Sequence, residues 1–468
     1  MKRMTGTDAA FLELESPTMH LHVVGVLMLD PSETPGGLTL DRLTALFAER
    51  LHLIAPFRRR ALAVPGGLDH PRWIEDPDFD LSRHLHHQSL GPGADAADLE
   101  AFVGELASAP LERNRPLWDT WLVDGFADGT VALVTKVHHA IMDGAAGGDM
   151  MASLFDLEPQ VEPADDQEPP SWQGEDLPRP GRLVAEAGPG AMWRLAGLPG
   201  VMARTASGVA RSMRAMAGQP TSPVQFAPAS PFNGPLTAAR SVAFAHCPLA
   251  DLKEVRRAFA TTINDVVLAA TTASLRQYLL ARDIRPDQPL VASVPVALAR
   301  RPDDPGFGNH TSNMMVSLPV HLDDPVEALG SIHEDALGAK VVQQAMGPDV
   351  IEDWMGLAPA ALLTAGANAY STFGLGRFHP PLFNAIVSNV AGPPIPLYLA
   401  GARVLATYPM GPLIGNTALN LTVLSETGDL DVGVIACPDL VDDVGAIADG
   451  FVAGVAVLLE AARAGTRP

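Results

Sequence analysis

His138 and His139 stand at the end of an apolar run, Val131 to Val137 (VALVTKV), and are followed by Ala140-Ile141-Met142-Asp143-Gly144. The run is short, β-branched and bounded by polar residues, so it reads as a core strand that delivers two imidazoles to an element's end. An imidazole with an ordinary pKa near 6.5 accepts a proton at neutral pH, and a carboxylate four residues on can fix its tautomer and brace the backbone. Gly144, with Ala145, Ala146, Gly147 and Gly148 behind it, keeps side chains clear where a substrate must approach the backbone. The pattern H-H-x-x-x-D-G fixes four positions, and at this composition chance produces it in roughly a few chains per thousand. Two other readings of the same residues stay open. One is a satisfied buried polar cluster without catalytic duty. The other is a zinc site from His138, His139 and Asp143, which adjacency disfavours because neighbouring rings rarely reach one metal without further ligands.

The elements that must position this motif can be read outward from it. At 468 residues the chain exceeds what one core usually organises, so two lobes are expected, and 47% apolar with 18% charged residues is globular composition. Residues 1–155 form a first lobe, in which strands such as His22 to Leu29 and Val131 to Val137 alternate with helical patterns at Leu40 to His52 and Asp98 to Ala109. Residues 156–234 change character. An acidic, proline-rich linker (156–177) gives way to Arg179 to Met216, where six arginines face the single acid Glu186 and Met202, Ala206, Val209, Ala210 and Met213 recur at helical spacing. That helix either packs its apolar stripe on the body, with arginines pairing carboxylates, or lies on a lipid surface. Residues 235–468 are regular again, with helices at Asp251 to Phe259, Asn264 to Leu280 and Val444 to Ala464, strands at Leu290 to Ala297, Met314 to Val320 and Ala385 to Asn389, and a hairpin from Leu419 to Ala436. The fold class is therefore α/β of the mixed, α+β kind.

The net charge of −22 repels nucleic acid and, on average, an anionic membrane, so any anionic ligand needs a local basic patch. Cys247 and Cys437 offer neither a metal-ligand spacing nor a disulfide framework, which fits a reducing compartment. MKRMTGTDAAFLELE has no apolar h-region, so no secretory signal is expected and the setting is cytoplasmic. Trp354 to Gly376 is uncharged but interrupted by Pro359 and four glycines, and reads as a buried helix and loop rather than a membrane span.

Motifs along nearly the whole chain carry a resemblance. They are Met4 to Ala10, Met19-His20-Leu21-His22, Pro71-Arg72-Trp73, Phe79-Asp80-Leu81, Pro116-Leu117-Trp118-Asp119, the histidine motif, Asn264-Asp265, Gly308-Asn309, and Ser388 to Pro394 leading to Pro396 to Gly401. In this order they resemble the bacterial wax ester synthase/diacylglycerol acyltransferase family, which is related to condensation domains and other CoA-dependent acyltransferases. The resemblance implies two chloramphenicol-acetyltransferase-like lobes with a tunnel between them. It implies His139 as the base, His138 beside it, Asp143 bracing the loop, and Asn264 and Asp265 opposite, where plain helix capping is an equal reading. Pro116 to Asp119 would be scaffold, and Gly308-Asn309 and Ser388-Asn389 turn-forming. Ala297 and Ala391 stand where the family more often has serine and proline.

The chemistry implied is ester formation from acyl-CoA, as co-substrate and not as a permanently bound cofactor, with diacylglycerol or a fatty alcohol. It needs a base, an oxyanion stabiliser and a dry channel, and no protein nucleophile. The chain has no G-x-S-x-G elbow, P-loop or dinucleotide fingerprint. Acyl transfer to another alcohol, such as a polyketide diol or a glycolipid, and a non-catalytic lipid-droplet protein are the alternatives. Arg240, Lys253, Arg256, Arg257, Arg300 and Arg301 are candidates for the CoA phosphates. Burying sixteen methylenes is worth roughly 13 kcal/mol of gross transfer energy, so product would leave into an inner-membrane or lipid-droplet surface, with Arg179 to Met216 as the docking element.

Overall fold

The computed structural model describes residues 1–141, 150, 152–159, 173–216, 227–297, 311–346 and 350–465, so Asp143, Gly144, Gly308, Asn309, Arg300 and Arg301 lie outside the described residues. The strands in chain order are β1 (Lys2–Arg3), β2 (His22–Asp30), β3 (Arg59–Leu62), β4 (Arg72–Glu75), β5 (Leu85–Ala94), β6 (Trp118–Phe126), β7 (Val131–His138), β8 (Ser241–Pro248), β9 (Leu290–Ala297), β10 (Thr311–Leu318), β11 (Ala385–Ala391), β12 (Tyr398–Leu399), β13 (Ala402–Met410), β14 (Leu419–Ser425) and β15 (Asp429–Ala436). The helices are α1 (Gly6–Leu14), α2 (Leu40–Arg50), α3 (Ala96–Ser108), α4 (Pro180–Met216), α5 (Leu249–Phe259), α6 (Ile263–Leu280), α7 (Pro325–Met346), α8 (Val350–Leu357), α9 (Ala360–Thr372) and α10 (Val444–Ala464).

Two six-stranded mixed sheets organise the chain, β12-β13-β2-β7-β6-β5 and β10-β9-β11-β14-β15-β8, beside a small β1-β4-β3 sheet. β2 and β7 bury both faces. Val24, Val26, Ala132 and Val134 face a core shared with α3 and the second lobe, whereas Leu27, Leu29, Val131, Leu133 and Val137 face the first lobe's own core. Two apolar faces with period-2 alternation are what a strand buried on both sides requires. Lys136 is an exception on the shared face. Its Nζ is buried and donates to the carbonyls of Leu106 and Ala109, closing the C-terminal end of α3, and burial pushes its pKa down to about 8. α10 is long and apolar enough to cross a bilayer by composition, but here it packs on α6 with Phe451, Val455 and Leu458 buried.

The linear division at residues 155 and 234 does not follow the sheets. β12 and β13 come from the third segment but complete the first sheet, with β13 antiparallel to β2 from Arg403↔Asp30 to Met410↔Val24. No local pattern in a strand specifies which lobe's edge it will join, whereas the open edge of β2 provides the hydrogen-bonding groups. β13 also lies across β15, where Asp431, buried and pushed up in pKa by burial, accepts from the Thr407 N–H. Ser388 and Asn389 close the strand expected over Ala385 to Asn389, but β11 runs on to Ala391 and pairs them in parallel with Thr422 and Val423 of β14, so they form no turn. The Trp354 to Gly376 stretch is not buried: α9 buries only Ala360 and Ala367 and packs on α1, leaving Leu362 and Phe373 exposed.

The crossing makes a test. A Cβ at Gly433 would stand 2.2 Å from the Pro409 carbonyl oxygen. Gly433→Ala is therefore expected to lower stability by about 1–3 kcal/mol through overpacking between the sheets, visible as a lower thermal midpoint by tryptophan fluorescence.

Candidate active site

Both histidines are pinned through the main chain. β7 pairs with β2 on one side, ending at His22↔His138, and with β6 on the other. Just past these ladders the His138 N–H donates to the Leu117 carbonyl (3.0 Å) and the His139 N–H to the Leu21 carbonyl (2.8 Å). The Pro116 to Asp119 and Met19 to His22 motifs thus hold the two histidines by backbone. Trp118 carries the first of them: its indole is fully buried, donates to the Phe57 carbonyl and is stacked on Phe57 and His84, while Asp119 takes a bidentate contact from Arg115. These are scaffold roles, as expected.

The two imidazoles have different surroundings. His138 is buried, and its Nδ1 accepts from the Ala140 N–H at 3.0 Å, so in the neutral ring the proton sits on Nε2. That nitrogen faces Glu15 Oε2 at 3.7 Å, too long for a hydrogen bond but close enough for attraction. His139 is half-buried and its ring is stacked on Phe11, with centroids 4.2 Å apart and planes 18° from parallel. Of the pair, His139 is the more exposed.

Phe11 and Glu15 were not singled out by the sequence. They lie one helical turn apart on and just after α1, so a single helix face frames both imidazoles. Their i,i+4 spacing just ahead of the Met19 to His22 motif was the available signal. Glu15 gathers a polar cluster: it accepts from His22 Nε2 (3.2 Å) and from Arg113 Nε and Nη2 (3.0 and 2.6 Å). Burial opposes its ionisation, but His138, His22 and Arg113 outweigh that and hold the carboxyl far below the usual carboxylate range. His22 is pushed down to about 3, chiefly by burial, and burial likewise lowers His20, which stacks on it.

Other expected site residues are less directly involved. Asp265 is a helix cap that also holds the lobe: it forms a capping box with Thr262 and accepts from His333 Nδ1 at 2.8 Å, and among the described contacts none joins it to the histidine pair. Asn264, beside it, is half-buried. Arg240 is not at a basic mouth. It is buried and donates to the carbonyls of Thr237, Ala239 and Thr18, because the inter-lobe seam leaves those carbonyls needing donors. Lys253, Arg256 and Arg257 are exposed on α5. Among the described residues no group of three or more His, Cys, Asp or Glu is arranged to hold a metal ion. A cavity of about 430 Å³ lies between α1, α9 and the 63–69 loop, and a smaller one is lined by Thr5, Asp8, Trp73, Ala140 and Ile141, the last two following His139 directly.

Buried neutral histidines make stability depend on pH. The folded pKa values of His22 (about 3) and His84 (about 4, lowered mainly by burial) lie below those of the unfolded chain. As pH falls through 6.5 the unfolded chain takes protons that the folded state refuses, so the stability present above pH 6.5 is lost toward pH 4. Each such histidine is expected to cost up to about 1.4 kcal/mol between pH 7.5 and 5.5. The thermal midpoint should fall over that interval, and fall less in His22→Gln; an unchanged midpoint would remove this account of the cluster.

Comparison with known proteins now bears on the whole chain. The sequence profile of the wax ester synthase/diacylglycerol acyltransferase catalytic domain matches residues 4–267, and that of the family's C-terminal domain matches residues 307–458. A Mycobacterium tuberculosis H37Rv protein provisionally named as a diacylglycerol O-acyltransferase is 36% identical over 462 residues, covering 98% of this chain and 90% of its own. A second, with the same provisional name and from the same organism, is 34% identical over 484 residues, covering 100% and 99%. Among solved structures, the wax ester synthase/diacylglycerol acyltransferase from Marinobacter aquaeolei VT8 superposes with a TM-score of 0.71 at 26% identity, over 99% of this chain and 100% of that one. The starter condensation domain of rhizomide synthetase, captured with C8-CoA and Leu-SNAC, shares the fold at a TM-score of 0.58 and 13% identity, covering 100% and 95%. The chain is an acyltransferase and belongs to the wax ester synthase/diacylglycerol acyltransferase family.

Proposed function

We propose that this acyltransferase moves a long acyl chain from acyl-CoA to the free hydroxyl of diacylglycerol, and to a fatty alcohol as a second acceptor, with His139 as the base. The carrying observation is the division of labour at the end of β7: His138 is locked by Ala140 and Glu15, and His139 is left half-buried against Phe11. His139 takes the acceptor's hydroxyl proton as its oxygen bonds to the thioester carbonyl carbon. The tetrahedral oxyanion then collapses, the C–S bond breaks, and the proton passes from His139 to the departing CoA thiolate, giving free CoA and an ester. Asn264, half-buried at the start of α6, helps position substrate from the other lobe. The relatives' names support the acceptor class, and a condensation domain of this fold captured with an acyl-CoA supports the donor. Buried, unpaired Cys247 and Cys437 support a reducing, cytoplasmic setting.

A positioned base is worth about 10²–10⁴ in rate, so His139→Ala is expected to lower CoA release from palmitoyl-CoA with diacylglycerol by that factor at unchanged fold. Full activity in the variant would remove His139 from the chemistry. Glu15→Gln and Phe11→Ala test the frame. Both should lower kcat by roughly ten- to a hundredfold with little change in KM, because they misplace the base without touching substrate binding. A loss confined to KM would place them in the binding site instead. A panel of acceptor alcohols identifies the preferred one.

A further inference from the structure

The sequence leaves open which face of the arginine-rich helix meets the body, and the structure decides it. Over the second half of α4 the buried positions are Val201, Gly208 and Ser212, with Thr205 half-buried; Ser212 donates to the Val342 carbonyl and Thr205 accepts from Trp354 Nε1. α4 packs by this small-residue face on α7 and α8. The apolar stripe is on the other side. Leu198, Met202, Val209 and Met213, spaced 4, 7 and 4 residues apart, share one line along the helix, and all are exposed, Met202 by 57% and Met213 by 66%. A core helix buries such a stripe; this one presents it to the surroundings while polar and small residues hold it to the protein.

The charge around the stripe says what covers it. From Arg179 to Met216 the chain carries six arginines and one glutamate, in a molecule whose net charge is −22. Arg204 pairs with Asp353, but Arg211 has only neutral partners among the described residues, the Ala345 carbonyl and the Ser207 hydroxyl, and Arg214 is exposed one residue beyond Met213. A second copy of this helix laid on the stripe would bring arginine against arginine. An anionic lipid surface instead takes methionine and leucine side chains into its apolar boundary and arginines at its headgroups. Beside it, the turn Pro65–Gly67 touches both α4 and α9, and the chain from residue 354 to 425, which includes α9 and the exposed Phe373 and Phe378, has no Asp or Glu.

We propose that the Leu198–Met213 stripe of α4 docks the enzyme on an anionic lipid–water interface. This is separate from the identity of the acceptor, and its failure is distinguishable from failure of the proposed reaction. The full chain is tested by co-sedimentation with vesicles of equimolar phosphatidylcholine and phosphatidylglycerol. Wild type is expected to bind, more weakly as salt rises, and M202E/M213E to bind at least about tenfold more weakly. The variant should keep its thermal midpoint and its transfer rate with a short, water-soluble acyl-CoA and alcohol, since neither methionine touches the imidazoles. Absence of wild-type binding, or equal binding by the variant, overturns the proposal. So does a wild-type dimer that the variant dissociates without losing vesicles. Loss of vesicle binding in a protein that never transferred soluble acyl groups would uphold the docking surface and sink the reaction.

Discussion

The register of three strands decides which imidazole meets Glu15 and which meets Phe11. β7 is clamped between β2 and β6, and the clamp extends one step further through the Leu117 and Leu21 carbonyls that receive the two histidine N–H groups. Side chains alternate along a strand, so a slip of one residue would turn His138 toward Phe11 and His139 toward Glu15. Such a slip would also drive Lys136 to the wrong face, away from the α3 carbonyls that neutralise its burial. The apolar faces of Val131 to Val137 hold the register, and the polar groups at its end make any other one costly.

Around that clamp the protein keeps a charged carboxylate out of water beside three histidines. A buried ionised carboxylate is tolerated only when its oxygens are occupied, and Glu15 is occupied from His22 and Arg113 with His138 close by. The outcome is a fixed dipolar environment for His138, whose second nitrogen is already committed to Ala140. The neighbouring ring has a different frame, stacked on Phe11. α1 therefore acts less as a packing helix than as a jig, with an aromatic plane and a carboxylate one turn apart.

Much of this was legible in the sequence where local chemistry coincides with local structure. VALVTKV-HH announces a strand and its end, Leu290–Ala297 and Val444–Ala464 have the bounds their patterns suggest, and the hairpin turns where Gly428 allows it. Legibility failed where a residue's role comes from across the fold. Glu15 at a helix end reads as a solvated acid until His22 and Arg113 arrive from elsewhere. Arg240 reads as a surface cation until the Thr18 carbonyl needs a donor. Helical spacing in α4 identifies a stripe but not the side it faces, because Val201, Gly208 and Ser212 repeat at the same period as the methionines. β13 carries nothing that marks it for the first sheet.

That last feature bears on how the chain is made. The edge of β2 that β13 will cover is synthesised by residue 30, but its partner does not begin until residue 402. At ribosomal speeds of 5–20 residues per second the interval is roughly 20–75 s. During that time an apolar strand bearing unpaired amides is open to any neighbouring nascent chain, which makes this edge a binding target for chaperones and a starting point for inclusion bodies. The terminal third of the polypeptide is thus a finishing piece for the first, and separating the halves would strand both.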